Sequence, residues 1–108
     1  MNLISRDELK EKLDRGDNFK LVMVLGDWHY RAKHIPGSIN ISSPDDPRVA
    51  DLGKDEDIVV YCSNVACAAS IYAARMMADG GYSSVRRYAG GIADWEDAGL
   101  PVTGEMVG

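Results

Sequence analysis

Basic residues are in short supply in this sequence: 12 Lys and Arg stand against 17 Asp and Glu, a formal net charge of −5 over 108 residues. Neutralising a phosphate backbone needs a basic face, so the charge argues against nucleic-acid binding as a main role. The adjacent Arg86 and Arg87 are the one concentrated basic spot, and a solvated strand position with its neighbour accounts for them. There are only two cysteines, too few for a disulfide scaffold. Cys62 and Cys67 have four residues between them, which is neither the C-x-x-C of a thioredoxin motif nor a zinc knuckle. The two histidines, His29 and His34, flank nothing with metal-ligand spacing, so no metal or other cofactor is expected. No apolar run approaches the roughly 18 residues of a membrane-spanning helix. The N-terminus reaches Arg6 and Asp7 too early for a secretory signal, which makes the cytoplasm the expected location.

What is present reads as one globular domain over residues 1–108, with 45% hydrophobic and 27% charged residues. Ser5-Arg6-Asp7-Glu8 is a capping box in which Ser5 accepts from the Glu8 N–H and Glu8 reaches back. Ile4 and Leu9 form a hydrophobic staple around it, and Gly16 ends the helix. Lys20 to Leu25 is a near-continuous apolar run, as a strand covered on both faces shows. Trp28 to Lys33 is a short helical turn, and Ile39 to Ile41 a short strand. Ser43 to Pro47 is a loop that opens a short helix through Ala50 and Leu52. Asp57 to Tyr61 is the clearest strand, rich in β-branched residues, and it stops at Cys62. A helix is predicted over Ala69 to Asp79 with a Gly80-Gly81 stop, then a strand over Ser84 to Tyr88 and a short helix containing Trp95. This alternation predicts an α/β domain: a central, mainly parallel sheet of four to five strands with helices on both faces.

The segment Val59 to Ser70 is strand, tight loop, helix, and sites in open α/β sheets form at the carboxyl ends of strands. Loop amides and the helix dipole favour negative charge there, so a thiol at Cys62 ionises more readily, and the thiolate is the nucleophile. The same pattern also fits an inert buried cysteine at a strand end.

Several segments, in order and over nearly the whole chain, resemble the rhodanese family of single-domain sulfurtransferases. Ile4-Ser5-Arg6-Asp7-Glu8-Leu9 is similar to the family's opening helix. Tyr30 to Ile41 is close to its E-Y-x-x-G-H-I-P-G-A-x-N-I segment, and Val59-Val60-Tyr61-Cys62 to the strand that delivers its cysteine. Gly81 to Val85, Gly90-Gly91-Ile92-Ala93-Asp94-Trp95 and Ala98 to Val102 are similar to its closing motifs. The resemblance implies that Cys62 accepts a sulfane sulfur as a persulfide and passes it to a thiol or cyanide. The backbone amides of Ser63, Asn64, Val65, Ala66, Cys67 and Ala68, with Ser70, would hold the donor. The implied partners are a small sulfur donor and a thiol or protein acceptor. His34, Trp95 and Gly90-Gly91 are implied to be scaffold residues.

Three departures stand out. Met23, Val24 and Leu25 occupy the place of the family's Asp-Val-Arg triplet. The loop lacks the Gly and Arg of C-x-x-G-x-R-S, and its serine comes late, at Ser70, so thiosulfate loses Coulombic support and a persulfide donor is favoured. Lys33 replaces the Gly before His34 and reads as a solvated loop lysine. Cys67 is either a resolving thiol for Cys62 or a small residue filling the loop. The competing functions are a non-catalytic partner-binding or regulatory module and a cysteine-loop phosphatase or arsenate reductase. The latter needs an Arg clamp where this chain has Ala68, with no Arg until Arg75.

Overall fold

The computed structural model describes residues 2–43 and 45–107. Met1, Gly108 and Pro44, the last in the loop expected over 43–47, lie outside the described residues. The elements alternate as expected: α1 (Arg6–Arg15), β1 (Lys20–Met23), α2 (Asp27–Ala32), β2 (Ile39–Asn40), a 3-10 turn (Pro47–Asp51), β3 (Asp57–Tyr61), α3 (Ala69–Asp79), β4 (Ser84–Tyr88) and α4 (Gly91–Asp97). The four strands form one all-parallel sheet in the order β2-β1-β3-β4, so β3 is central.

The two-residue period of a strand sends alternate residues to two separate cores. Leu21, Met23, Val59, Tyr61 and Tyr88 meet Leu9 of α1 and Trp95 of α4 on one face. Val22, Val24, Ile58, Val60 and Cys62 meet Ala74 of α3 and Leu52 on the other. Since both faces are covered, β1 and β3 carry unbroken apolar runs rather than alternating ones. β1 pairs only as far as Met23, although the Val24 N–H still donates to the Tyr61 carbonyl at 3.0 Å.

The start of α1 is half of the expected capping box. Ser5 Oγ accepts from the Glu8 N–H at 3.1 Å, but the Glu8 carboxylate turns to Arg86 instead of back to Ser5. An ion pair across to β4 thus takes the place of a second local cap. Ile4 and Leu9 are both buried in the same core. Gly16 ends the helix at φ 69°, the left-handed conformation that glycine adopts without a Cβ penalty.

Candidate active site

Cys62 follows directly on β3 and is buried, at 1% exposure. Its backbone is held by the turn into α4. The Ile92 N–H donates to the Cys62 carbonyl at 3.0 Å and the Ala93 N–H to the Ser63 carbonyl at 2.9 Å. That approach requires glycine at 91. Its φ is +65°, and a Cβ there would fall inside contact distance of the Cys62 carbonyl oxygen. The Gly90-Gly91 pair is therefore a packing and turn device that fixes the root of the loop.

The loop that follows keeps Asn64, Val65, Ala66 and Ala68 exposed, with Ser63 and Cys67 half-buried. Asn64 organises it: its side-chain oxygen accepts from the Ala66 N–H at 2.9 Å and its carbonyl from the Cys67 N–H at 3.1 Å. Of the amides from Ser63 to Ala68, those of Ala66 and Cys67 thus have partners within the loop. These two donors are spent there because an asparagine two residues before an amide closes a local turn on it.

Cys62 and Cys67 are joined as a disulfide, with Cα atoms 6.5 Å apart. Ser70, in the first turn of α3 and 1% exposed, places its Oγ 3.4 Å from the Cys62 Sγ. A disulfide sulfur carries no proton, so the hydroxyl is the donor in that contact. Ser70 Oγ in turn accepts from the Nε of Arg87 at 2.8 Å.

Arg87 overturns the expectation of a solvated basic pair. It is only 7% exposed, whereas Arg86 reaches Glu8 and Asp57 at the protein surface. The physical reason is strand alternation: Arg87 is paired with Val60 and shares the α3 face with it, while Arg86 points the opposite way. The loop itself has no cation, but a buried cation stands one serine away from the sulfur. The alternation of Val85 and Arg87 in the sequence contained that signal.

The His-Ile-Pro-Gly segment is tied to the same strand. Tyr61 Oη accepts from the Ile35 N–H at 3.0 Å and lies 2.8 Å from Ser38 Oγ. Burial pushes the Tyr61 hydroxyl up to about 12, with its contacts to the Ser38 hydroxyl and the Ile35 N–H pulling the other way. His34 stacks on Tyr30 with ring centroids 3.9 Å apart, and its Nδ1 lies 2.6 Å from the Tyr30 carbonyl oxygen. It is a scaffold histidine. Lys33 is not free in solvent: it meets Glu96 of α4 at 2.8 Å.

Met23, Val24 and Leu25 carry no charge, yet an arginine and two aspartates order this edge of the sheet from elsewhere in the chain. Arg48 meets Asp46 at 2.5 Å and Asp27 at 2.9 Å, and approaches Asn40 Oδ1 at 3.4 Å. Asn40 donates to the carbonyls of Met23 and Leu25. The guanidinium of Arg48, then its backbone N–H and that of Ser42, hold the Asp46 carboxyl well below the usual carboxylate range. Sequence reasoning missed this network, whose side chains come from three separate segments, at Asp27, Asn40 and Asp46–Arg48. Arg75, the first arginine after the loop, is exposed on α3. Among the described residues no cluster of His, Cys, Asp and Glu has the arrangement of a metal site, and no helix is long and apolar enough to cross a membrane.

Fold and site together define a doubly covered parallel sheet that presents a cysteine at the end of its central strand. The chain belongs to the rhodanese-like domain family, whose family model matches residues 5–98. It is 40% identical over 100 residues to an HTH-type transcriptional regulator of Mycobacterium tuberculosis, covering 92% of this chain but 43% of the regulator. The chain thus spans less than half the length of that relative. A sulfurtransferase of Allochromatium vinosum is 28% identical over 103 residues, 94% of each chain. Among solved structures, a Bacillus halodurans protein superposes with a TM-score of 0.88 at 26% identity, over 97% of this chain and 78% of that one. The rhodanese-like domain of an Anabaena protein does so with a TM-score of 0.86 at 26% identity, over 98% and 81%.

Proposed function

We propose that the chain is a sulfurtransferase that carries a sulfane sulfur as a persulfide on Cys62. The observation that carries this reading is the position of Cys62: at the end of the central strand, at the head of a loop, with a second sulfur and the Ser70 hydroxyl against it. The similarity to a sulfurtransferase over 94% of both chains supports it.

The cycle begins with a reduced pair, so a dithiol reductant first opens the disulfide, delivering two electrons and two protons. The Cys62 thiolate then attacks the outer sulfur of a donor persulfide. One S–S bond forms, the donor S–S bond breaks, and the donor thiolate leaves with the electron pair. An acceptor thiolate or cyanide next attacks the terminal sulfur and regenerates the Cys62 thiolate, with no net oxidation. Cys67 is the resolving thiol of this scheme: its thiolate attacks the Cys62 Sγ of the persulfide, forming the disulfide and expelling hydrosulfide. Residues 63–68 hold no formal charge, so a small persulfide suits the loop better than the thiosulfate dianion. The acceptor is a small-molecule or protein thiol, in the cytoplasm, where reductants keep such thiols available.

The test is intact-mass spectrometry of the reduced protein after separate exposure to glutathione persulfide, polysulfide and thiosulfate. The expected result is a gain of one sulfur, greatest with the persulfide and absent in Cys62→Ser. Full loading of Cys62→Ser would overturn the assignment.

A second reading is favoured by the 40% identity to a transcriptional regulator: a regulatory module whose Cys62–Cys67 pair reports oxidant or sulfane sulfur. Cyanolysis separates the two. A carrier turns over repeatedly to thiocyanate, and a sensor releases at most one equivalent.

A further inference from the structure

The least explained charge in the protein is Arg87. It is 93% buried by its 7% exposure, it has no carboxylate partner among the described residues, and its Nη2 is sealed from solvent without a hydrogen bond. A buried guanidinium is destabilising unless an anion or acceptors compensate it. Among the described residues its side-chain hydrogen-bond partner is Ser70 Oγ, and the Ser70 hydroxyl in turn lies against the Cys62 sulfur. Arginine only donates, so Ser70 must accept from Nε, which leaves the hydroxyl proton directed at the sulfur. The rest of the core on this face is aliphatic: Val22, Val24, Ile58, Val60 and Ala74. The Cys67 carbonyl oxygen also lies 3.6 Å from the sulfur and opposes negative charge there.

We propose that Arg87 is the counter-charge of the Cys62 sulfur anion, acting through Ser70. Arg87 is a positioning residue in this arrangement, since it does not touch the sulfur. In the disulfide the sulfur is neutral and Arg87 is uncompensated. Reduction to the thiolate, or loading to the persulfide anion, places a negative charge at the end of the Arg87–Ser70 chain and satisfies it. The cation absent from residues 63–68 is thereby supplied from β4, behind the nucleophile, where it favours the anionic form without meeting a donor's own charge. The inference rests on the reading of Cys62 as the sulfur-bearing nucleophile.

The test is the pH profile of Cys62 alkylation by iodoacetamide in the reduced protein, with peptide mapping to separate Cys62 from Cys67. The wild type should show a midpoint below the roughly 8.5 of a free cysteine. Arg87→Met should raise it by about one unit or more, and Arg87→Lys should restore part of the shift. The melting temperature of oxidised Arg87→Met should be unchanged or higher, because an uncompensated buried charge has been removed. A merely structural role would lower that temperature and leave the midpoint alone. An unchanged midpoint in folded Arg87→Met overturns the proposal. If that variant does not fold, Ser70→Ala, which cuts the same chain, must raise the midpoint, and an unchanged value there overturns it equally. The outcomes separate from those of the sulfur-transfer reading. Sulfur loading with an unshifted midpoint removes the role of Arg87 alone, and a shifted midpoint without loading removes the transfer function alone.

Discussion

Replacing Tyr61 with Phe should produce a stability difference that changes with pH in a defined way. The Tyr61 hydroxyl is fully buried and pushed up to about 12 from its ordinary 10.0. The raised value means that the folded protein holds the proton more tightly than the unfolded chain. The contribution is therefore fully present below pH 10, and it is lost as pH rises from 10 through 12. A shift of that size corresponds to about 3 kcal/mol in full, and roughly half of it is already gone at pH 11. Tyr61→Phe removes this dependence but leaves the buried Ile35 N–H without its acceptor. That omission costs about 1–3 kcal/mol at neutral pH. The two proteins should therefore differ by that amount at pH 7 and converge between pH 10 and 12. The assay is urea unfolding of both at pH 7, 10 and 11, read as the difference in stability. Tyr88 is also raised, by burial and then by its hydrogen bond to Asp94, but it is common to both proteins and cancels in the difference. A gap that stays constant from pH 7 to pH 11 would show that Tyr61 does not titrate as its burial requires.

Gly91→Ala should lower stability by at least about 1–2 kcal/mol, the cost of a left-handed non-glycine residue before its clash with the Cys62 carbonyl is counted; urea unfolding measures it. Asp46 has a depressed carboxyl, so its contribution is present above the ordinary carboxylate range and lost as pH falls below it. Asp46→Asn should therefore be less stable than wild type at pH 7, with the difference shrinking toward pH 2 in acid-unfolding curves. Hydrolysis of aryl phosphates should stay at background, since Ala68 stands where a phosphate-clamping Arg is needed; turnover that vanishes in Cys62→Ser would restore a phosphatase reading.

The elements with strong local punctuation were legible. The alanine-rich stretch with its double-glycine stop is α3 over Ala69–Asp79, and the β-branched run before Cys62 is β3 over Asp57–Tyr61. Boundaries set by pairing were less so. The apolar run to Leu25 pairs as a strand only to Met23, where both of its neighbours, β2 and β3, also reach their last paired residues. The position of Cys62 was readable from strand, loop and helix in succession. Its polar surroundings were not. The Tyr61 hydroxyl meets an amide 26 residues away, and Arg87 meets a serine 17 residues away, neither of which a local pattern encodes. The spacing of Cys62 and Cys67 likewise fixes no distance, since the path of the intervening loop depends on Asn64 turning it back.

The two sides of Cys62 are held by different means, and that division bears on how its chemistry stays local. The backbone is fixed on one side by β3 pairing with β1 and β4, and on the other by the amides of Ile92 and Ala93. The sulfur is fixed by Cys67, on a loop with exposed residues and short-range hydrogen bonds, and by Ser70, on a buried helical turn. Opening the disulfide therefore frees the loop partner while the strand end and the Arg87–Ser70 chain keep their places. The backbone contacts to β1, β4 and α4 do not pass through Cys67, so movement of Cys67 leaves them in place. In the proposed scheme Cys67 would have to return along the same path to reach a persulfide on Cys62, and the Asn64 turn, which closes on the Ala66 N–H, is the local contact that such a movement would strain or release.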